Sequence, residues 1–207
     1  MQILSKSFYY EVMPRACETL DTPVRFVEED LAEKPMFVQY YEGCLLVVDI
    51  ASAMDLQRRL NKKKVPKLEW QAIIPNPFGS DQIQKELFFG RAILVPGNRV
   101  FVISGSLQQK VTDTLSDEVQ EWDLDTMIVK KVQKIPDART SAAAYFHGRF
   151  IYIIGGNLKK SRSTDMCCKL DIYKRKWYNM PNMNEHRANS GSMVINNFLY
   201  AFGGFQT

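Results

Sequence analysis

The chain has 207 residues, 45% apolar and 24% charged, with a formal net charge of +4. That length allows one domain with a sizeable core or two small ones, and the slight positive excess accepts an acidic partner without calling for nucleic acid. The opening MQILSKSFYYEV lacks the basic start and apolar core of a secretory signal, and the apolar run at 44–48 is cut off by Asp49, so a cytoplasmic chain with no membrane span is expected.

Four cysteines occur, Cys17, Cys44, Cys167 and Cys168, and in that compartment they are expected as reduced thiols. Cys167 and Cys168 are neighbours, so on a strand they point to opposite faces and make poor partners for one metal ion. No cofactor or metal is expected. An aromatic share of 12% suits β-structure better than a helix bundle.

Residues 1–35 read as two short strands, 8–12 and 24–27, about a turn at Asp21-Thr22-Pro23, followed by an acidic connector. Residues 36–87 begin with a hairpin about Glu42-Gly43, whose second strand is apolar enough to be buried on both faces. A short surface helix is expected over 52–64, capped by Ser52 and basic at its end. A strand over 68–74 containing Trp70 follows, stopped by Pro75.

Residues 88–138 read as four antiparallel strands: 88–95 and 99–104 about Pro96-Gly97-Asn98, then 118–124 and 127–135 after a polar loop. Residues 139–186 repeat that order, with a hairpin over 140–156, a polar loop, a strand over 166–173 and another from Trp177. Residues 187–207 supply only the hairpin half. Arg139 and Arg187 each stand 16 residues before a Gly-Gly pair, Gly155-Gly156 and Gly203-Gly204. The second strands end at Ile50, Gly105, Gly156 and Gly204, spaced by 55, 51 and 48 residues. A four-stranded unit repeating about every fifty residues has the period of a propeller blade.

The repeat resembles the kelch repeat family. Residues 139–186 carry its pattern most fully, in Arg139, Ser141-Ala142-Ala143, Ile151-Tyr152-Ile153-Ile154-Gly155-Gly156, Asp171, Trp177 and Met180-Pro181. Leu170 stands where the family has Tyr. Residues 88–138 keep Trp122-Asp123, with Ser104-Gly105 for the diglycine and Val129 for the Trp; the last unit matches through Arg187, Tyr200 and Gly203-Gly204. The resemblance implies an all-β, kelch-type propeller of four-stranded antiparallel blades, about three and a half units, open or partial; the alternative is a four-bladed ring whose last blade is completed by the strands at 8–12 and 24–27. Its glycines and aromatics are expected to serve the fold.

There is no phosphate loop, paired-histidine metal motif or nucleophile elbow, and His147 and His186 are expected in turns, so no enzyme is expected. The family's usual role implies a protein-interaction module, its loops meeting a partner at one mouth of the propeller. Arg139, Asn157, Lys159, Lys160, Ser161, Arg162, His186 and Arg187 fall on those loops. The first choices for partner contact are Arg139, Asn157, Arg162, His186 and Arg187, and the expected partner is acidic or phosphorylated. Arg139 and Arg187 have a second reading, as ties to backbone carbonyls or carboxylates between adjacent blades. The runners-up are substrate recognition for a ubiquitin ligase adaptor, and polyanion or cytoskeleton binding through the basic clusters at 58–67, 130–134 and 174–176. Those clusters lack the interleaved aromatics of a base-stacking platform, which speaks against nucleic acid. Open propeller edges invite self-association.

Overall fold

Thirteen strands occur among the described residues, all paired antiparallel, in four separate sheets. The computed structural model describes residues 36–41, 44–49, 71–73, 87–108, 114–196 and 198–206. These fall within Pro35–Thr207, one of two units of the chain; the other, Met1–Lys34, lies outside them. The strands expected over 8–12 and 24–27 and the helix over 52–64 also lie outside the described residues.

Sheet one holds β1 (Met36–Tyr41), β2 (Cys44–Asp49) and β3 (Gln71–Ile73). Sheet two holds β4 (Arg91–Val95), β5 (Arg99–Ser106), β6 (Leu115–Asp123) and β7 (Val129–Val132), paired in chain order. Sheet three repeats this with β8 (Ala143–His147), β9 (Phe150–Ile154), β10 (Cys167–Asp171) and β11 (Lys176–Met180). Sheet four has β12 (Gly191–Ile195) and β13 (Phe198–Phe202). The turns β4–β5, β8–β9 and β10–β11 are short, which antiparallel neighbours allow.

Several boundaries differ from expectation, among them the first strand of sheet two, which starts at Arg91 and not at Phe88. The strand expected over 127–135 is confined to Val129–Val132, because Met127 takes a left-handed backbone (φ 58°) and Ile135 donates its N–H to Asp117 outside the ladder. The first strand of sheet three starts at Ala143 and not at Thr140, because Ser141 is also left-handed (φ 55°). The third strand of sheet two, in contrast, starts early, at Leu115.

First strands lie side by side: β1 beside β4, β4 beside β8, and β8 beside β12. The sheets stack face to face, and alternation along each strand divides its side chains between two cores. In sheet two, Val100, Val102 and Trp122 meet Leu45 and Val47 of sheet one, while Phe101, Ile103 and Val119 meet Ile151, Ile153, Leu170 and Trp177 of sheet three. On the far side of sheet three, Ala143, Ile154 and Cys167 meet Leu199 and Ala201. Cys167 and Cys168 thus lie in different cores, as their adjacency on a strand predicts. Burial pushes the Cys168 thiol up to about 11. The architecture is all-β and multi-sheet, consistent with an open or partial propeller.

The aspartate ending each third strand has a plain physical task. Asp123 accepts the N–H groups of Asp125 and Thr126, and Asp171 those of Tyr173 and Lys174, which closes the turn into the fourth strand. Burial raises the Asp171 pKa, but the Lys174 N–H, Arg149 and the Tyr173 N–H outweigh it, and the carboxyl lies below the usual range.

Candidate partner-binding site

The joint between consecutive sheets is a repeated backbone device. Phe89, Ser141 and Asn189 all take left-handed conformations, at φ 59°, 55° and 54°. Ser141 donates its N–H to Phe89 O at 3.2 Å, and Asn189 donates its own to Ser141 O at 2.9 Å. Sheets three and four are each thereby tied to the one before at the entry of the first strand. Nothing in the residue types at 89 and 141 announces this, since left-handed backbone is uncommon outside glycine and asparagine.

Below that tie stands the diglycine. Gly155 (φ 58°) lies so close to the Arg187 carbonyl that a Cβ would collide with it, and a Cβ on Gly156 would come 2.7 Å from Thr140 O. The Gly156 N–H donates to Arg187 O at 2.7 Å, joining sheets three and four. In sheet two Ser104 stands at the first of these positions, also left-handed at φ 55°. Its hydroxyl meets the N–H of Arg139 at 2.8 Å and the Arg139 carbonyl at 2.7 Å. The serine replaces close backbone approach with a hydroxyl bridge at the same joint.

All five residues expected at the partner site come together at this end of sheet three. The Thr140 and Asn157 backbones pair, Leu158 bonds to Arg162 O, and Thr164 bonds to Gly156 O and accepts from Arg187. The His186 ring lies 3.0 Å from Ser163 O. Burial sorts the five. Arg162 and His186 are exposed, Arg187 is half-buried, and Asn157 and Arg139 are buried. Beside Arg162, Lys159, Lys160 and Ser161 form a short 3-10 turn whose two lysines are exposed.

The two arginines share a bond and differ in setting. Arg139 Nη1 donates to Gly155 O at 3.3 Å and to Met166 O at 2.9 Å, and its Nε to Asp137 O at 3.0 Å. Its side chain is 1% exposed. Arg187 Nη1 donates to Gly203 O at 2.9 Å, the same offset, while Nη2 pairs with Glu185 and the side chain is 32% exposed. Arg139 has the geometry of a tie between strands; Arg187 has the same tie with an open side.

Other contacts between sheets escaped sequence reasoning. Glu121 of sheet two is gripped by Arg99 of its own sheet and Arg175 of sheet three, each at 2.8 Å. Arg91 donates from β4 to Ala142 O, and burial lowers its pKa. The Trp177 indole donates to Gln133 O at 3.0 Å. Except for Arg99–Glu121, each joins residues more than forty positions apart, which a single sequence does not register. Among the described residues no group of three or more His, Cys, Asp or Glu could hold a metal ion.

Sheet four presents a different surface. Met193, Ile195, Phe198, Tyr200, Phe202 and Phe205 are all exposed. An apolar cluster of this size is of the kind that marks protein-interaction surfaces.

No family profile matches the chain. A curated relative, Kelch-like protein 13 of Mus musculus, is 26% identical over 117 residues, covering 55% of this chain and 18% of that protein. The chain is thus distantly similar to a protein of kelch name, and the match takes in less than a fifth of the relative's length.

Proposed function

We propose that the chain is a partial kelch-type propeller that acts as a protein-interaction module, binding an acidic or phosphorylated segment at the loop end of sheet three. The observation that carries the reading is the gathering there of exposed cations, Lys159, Lys160 and Arg162, beside His186 and the half-open Arg187. Their backbone is fixed by the strand-like pairing of 140, 157, 163 and 164, so the charges sit on a rigid frame. Guanidinium and ammonium groups so held favour carboxylate or phosphate. Arg139 serves this site from below, by holding Gly155 and Met166 in place.

The test uses a fluorescein-labelled peptide with one phosphothreonine among aspartates, beside its unphosphorylated copy. Lys159→Glu and Arg162→Glu should each weaken capture by ~1–3 kcal/mol without moving the unfolding midpoint. Selectivity for the phosphorylated form should survive added salt, whereas a general polyanion surface would lose affinity steeply and without preference. Capture unaffected by both substitutions would refute the site.

A further inference from the structure

The end of sheet three opposite the loop site turns cations outward and carboxylates inward. The β8–β9 turn brings Arg149, and the β10–β11 turn with the start of β11 brings Lys174, Arg175 and Lys176. The Asp171 side chain, 2% exposed, is held by Arg149, and that of Glu121, 8% exposed, by Arg99 and Arg175. Those pairs leave the exposed Lys174 and Lys176 ammonium groups without a carboxylate among the described residues.

Aromatic rings stand among these cations in space, although the run at 174–176 contains none. The Arg149 guanidinium lies 5.6 Å from the Phe150 ring centroid and 5.9 Å from that of Tyr173. The Lys176 ammonium lies 5.5 Å from the Tyr178 ring centroid, while Trp177 turns into the core. Tyr173 is 63% exposed, so its ring is backed by Arg149 and otherwise faces water.

That exposure belongs to the position and not to what neighbours sheet three. Sheet two has a sheet packed on each face. Its Asp123 closes the same turn as Asp171, and Met127 and Arg175 are both left-handed there, at φ 58° and 52°. Asp125, Thr126 and Met127 thus fill the places of Tyr173, Lys174 and Arg175, and all three are exposed. Stacking covers the faces of a sheet and leaves these turns in solvent. The contact across the two turns recurs as well: Asn98 donates to Asp125 at 2.6 Å where Arg149 lies over Tyr173. Sheet two fills the pair with an amide and a carboxylate, sheet three with a guanidinium and a ring.

We propose that the turn end of sheet three binds single-stranded nucleic acid. One base stacks on the open part of the Tyr173 ring, and the neighbouring phosphates lie against Lys174 and Lys176. A ring backed by a guanidinium and flanked by ammonium groups fits a planar base joined to phosphates. An acidic peptide would use the ammonium groups and leave the ring idle. The site lies at the other end of β9 from the diglycine, so it stands whether or not the loop end binds phosphate.

Fluorescence anisotropy on the full chain, at one fixed salt concentration, tests this with fluorescein-labelled decamers of thymidylate, uridylate and abasic deoxyribose phosphate. Thymidylate and uridylate should bind alike, each about tenfold more tightly than the abasic strand. Tyr173→Ala should erase that advantage and Tyr173→Phe should keep it. Lys174→Glu and Lys176→Glu should each weaken all the strands, whereas Lys159→Glu at the loop end should leave them unchanged. An unchanged unfolding midpoint shows that each variant is folded. Equal affinity for the abasic strand, a base preference that survives Tyr173→Ala, a large gap between the two sugars, or no binding would overturn the proposal. So would an oligoglutamate that binds as tightly as thymidylate, because the partner would then be an acidic protein.

Discussion

Sheets three and four grow from the same motif, an arginine, a strand, a second strand with a central tyrosine, and two glycines, yet their surroundings diverge. In sheet three Ile151, Ile153 and Ile154 are at most 1% exposed, while on β13 Phe198, Tyr200 and Phe202 are 68%, 49% and 54% exposed. Arg139 is sealed between two carbonyls and Arg187 is open on one side. The hairpin and its diglycine are local products of the sequence, whereas burial comes from the neighbours. Among the described residues, a sheet with others on both faces is held by its core, and sheet four, packed on sheet three, is tied to it by its joint. The open sheet keeps the apolar and cationic groups that a partner can use.

The contrast can be broken at its strongest point first. Trp177→Ala should cost ~3–5 kcal/mol, as large core truncations do, since Trp177 lies in the core between sheets two and three. Tyr200→Ala, on the open face, should cost under ~1 kcal/mol. Chemical denaturation of the two variants measures the gap, and equal losses would mean that sheet four is as enclosed as sheet three.

Next come the glycines. Gly155→Ala forces a Cβ into the Arg187 carbonyl at a left-handed position and should cost ~2–4 kcal/mol. Gly203, also left-handed but with nothing within 4 Å of its would-be Cβ, should lose only ~1 kcal/mol on the same change. The arginines follow. Arg139→Ala strands the Gly155 and Met166 carbonyls and should cost ~2 kcal/mol, against under ~1 kcal/mol for Arg187→Ala. Thermal melts that rank the two arginines the other way would break the comparison.

The smallest effect depends on pH. Asp171 has a carboxyl below its ordinary range when folded, so its stabilisation is fully present above ~pH 4 and is lost as pH falls through the folded value. Asp171→Asn should therefore lower the melting point at neutral pH and flatten its decline in acid. A variant whose acid limb matches the parent would remove Asp171 from the turn's stabilisation.

Much of this arrangement is legible in the residues. The spacing of Arg139 and Arg187 from their glycines, the strand alternation that parts Cys167 from Cys168, and the turns after Asp123 and Asp171 all follow from local rules. Other features do not. Left-handed backbone at Phe89 and Ser141 is set by the hydrogen bond to the next sheet, not by residue preference. Ser104 resembles a degraded glycine in sequence, yet its hydroxyl bridges to Arg139. At the candidate site, charge types and loop positions could be read directly. What could not be read was which of the two readings of Arg139 holds, partner contact or a tie to carbonyls, because that depends on which strand lies above the side chain.

Site-resolved amide hydrogen exchange on the free chain tests the central contrast most directly. The account predicts that β9 amides exchange only through near-global unfolding, and that the β13 amides facing away from β12 exchange far sooner, through local opening. Protection of those β13 amides equal to that of β9 would contradict it, since their edge would then already be covered.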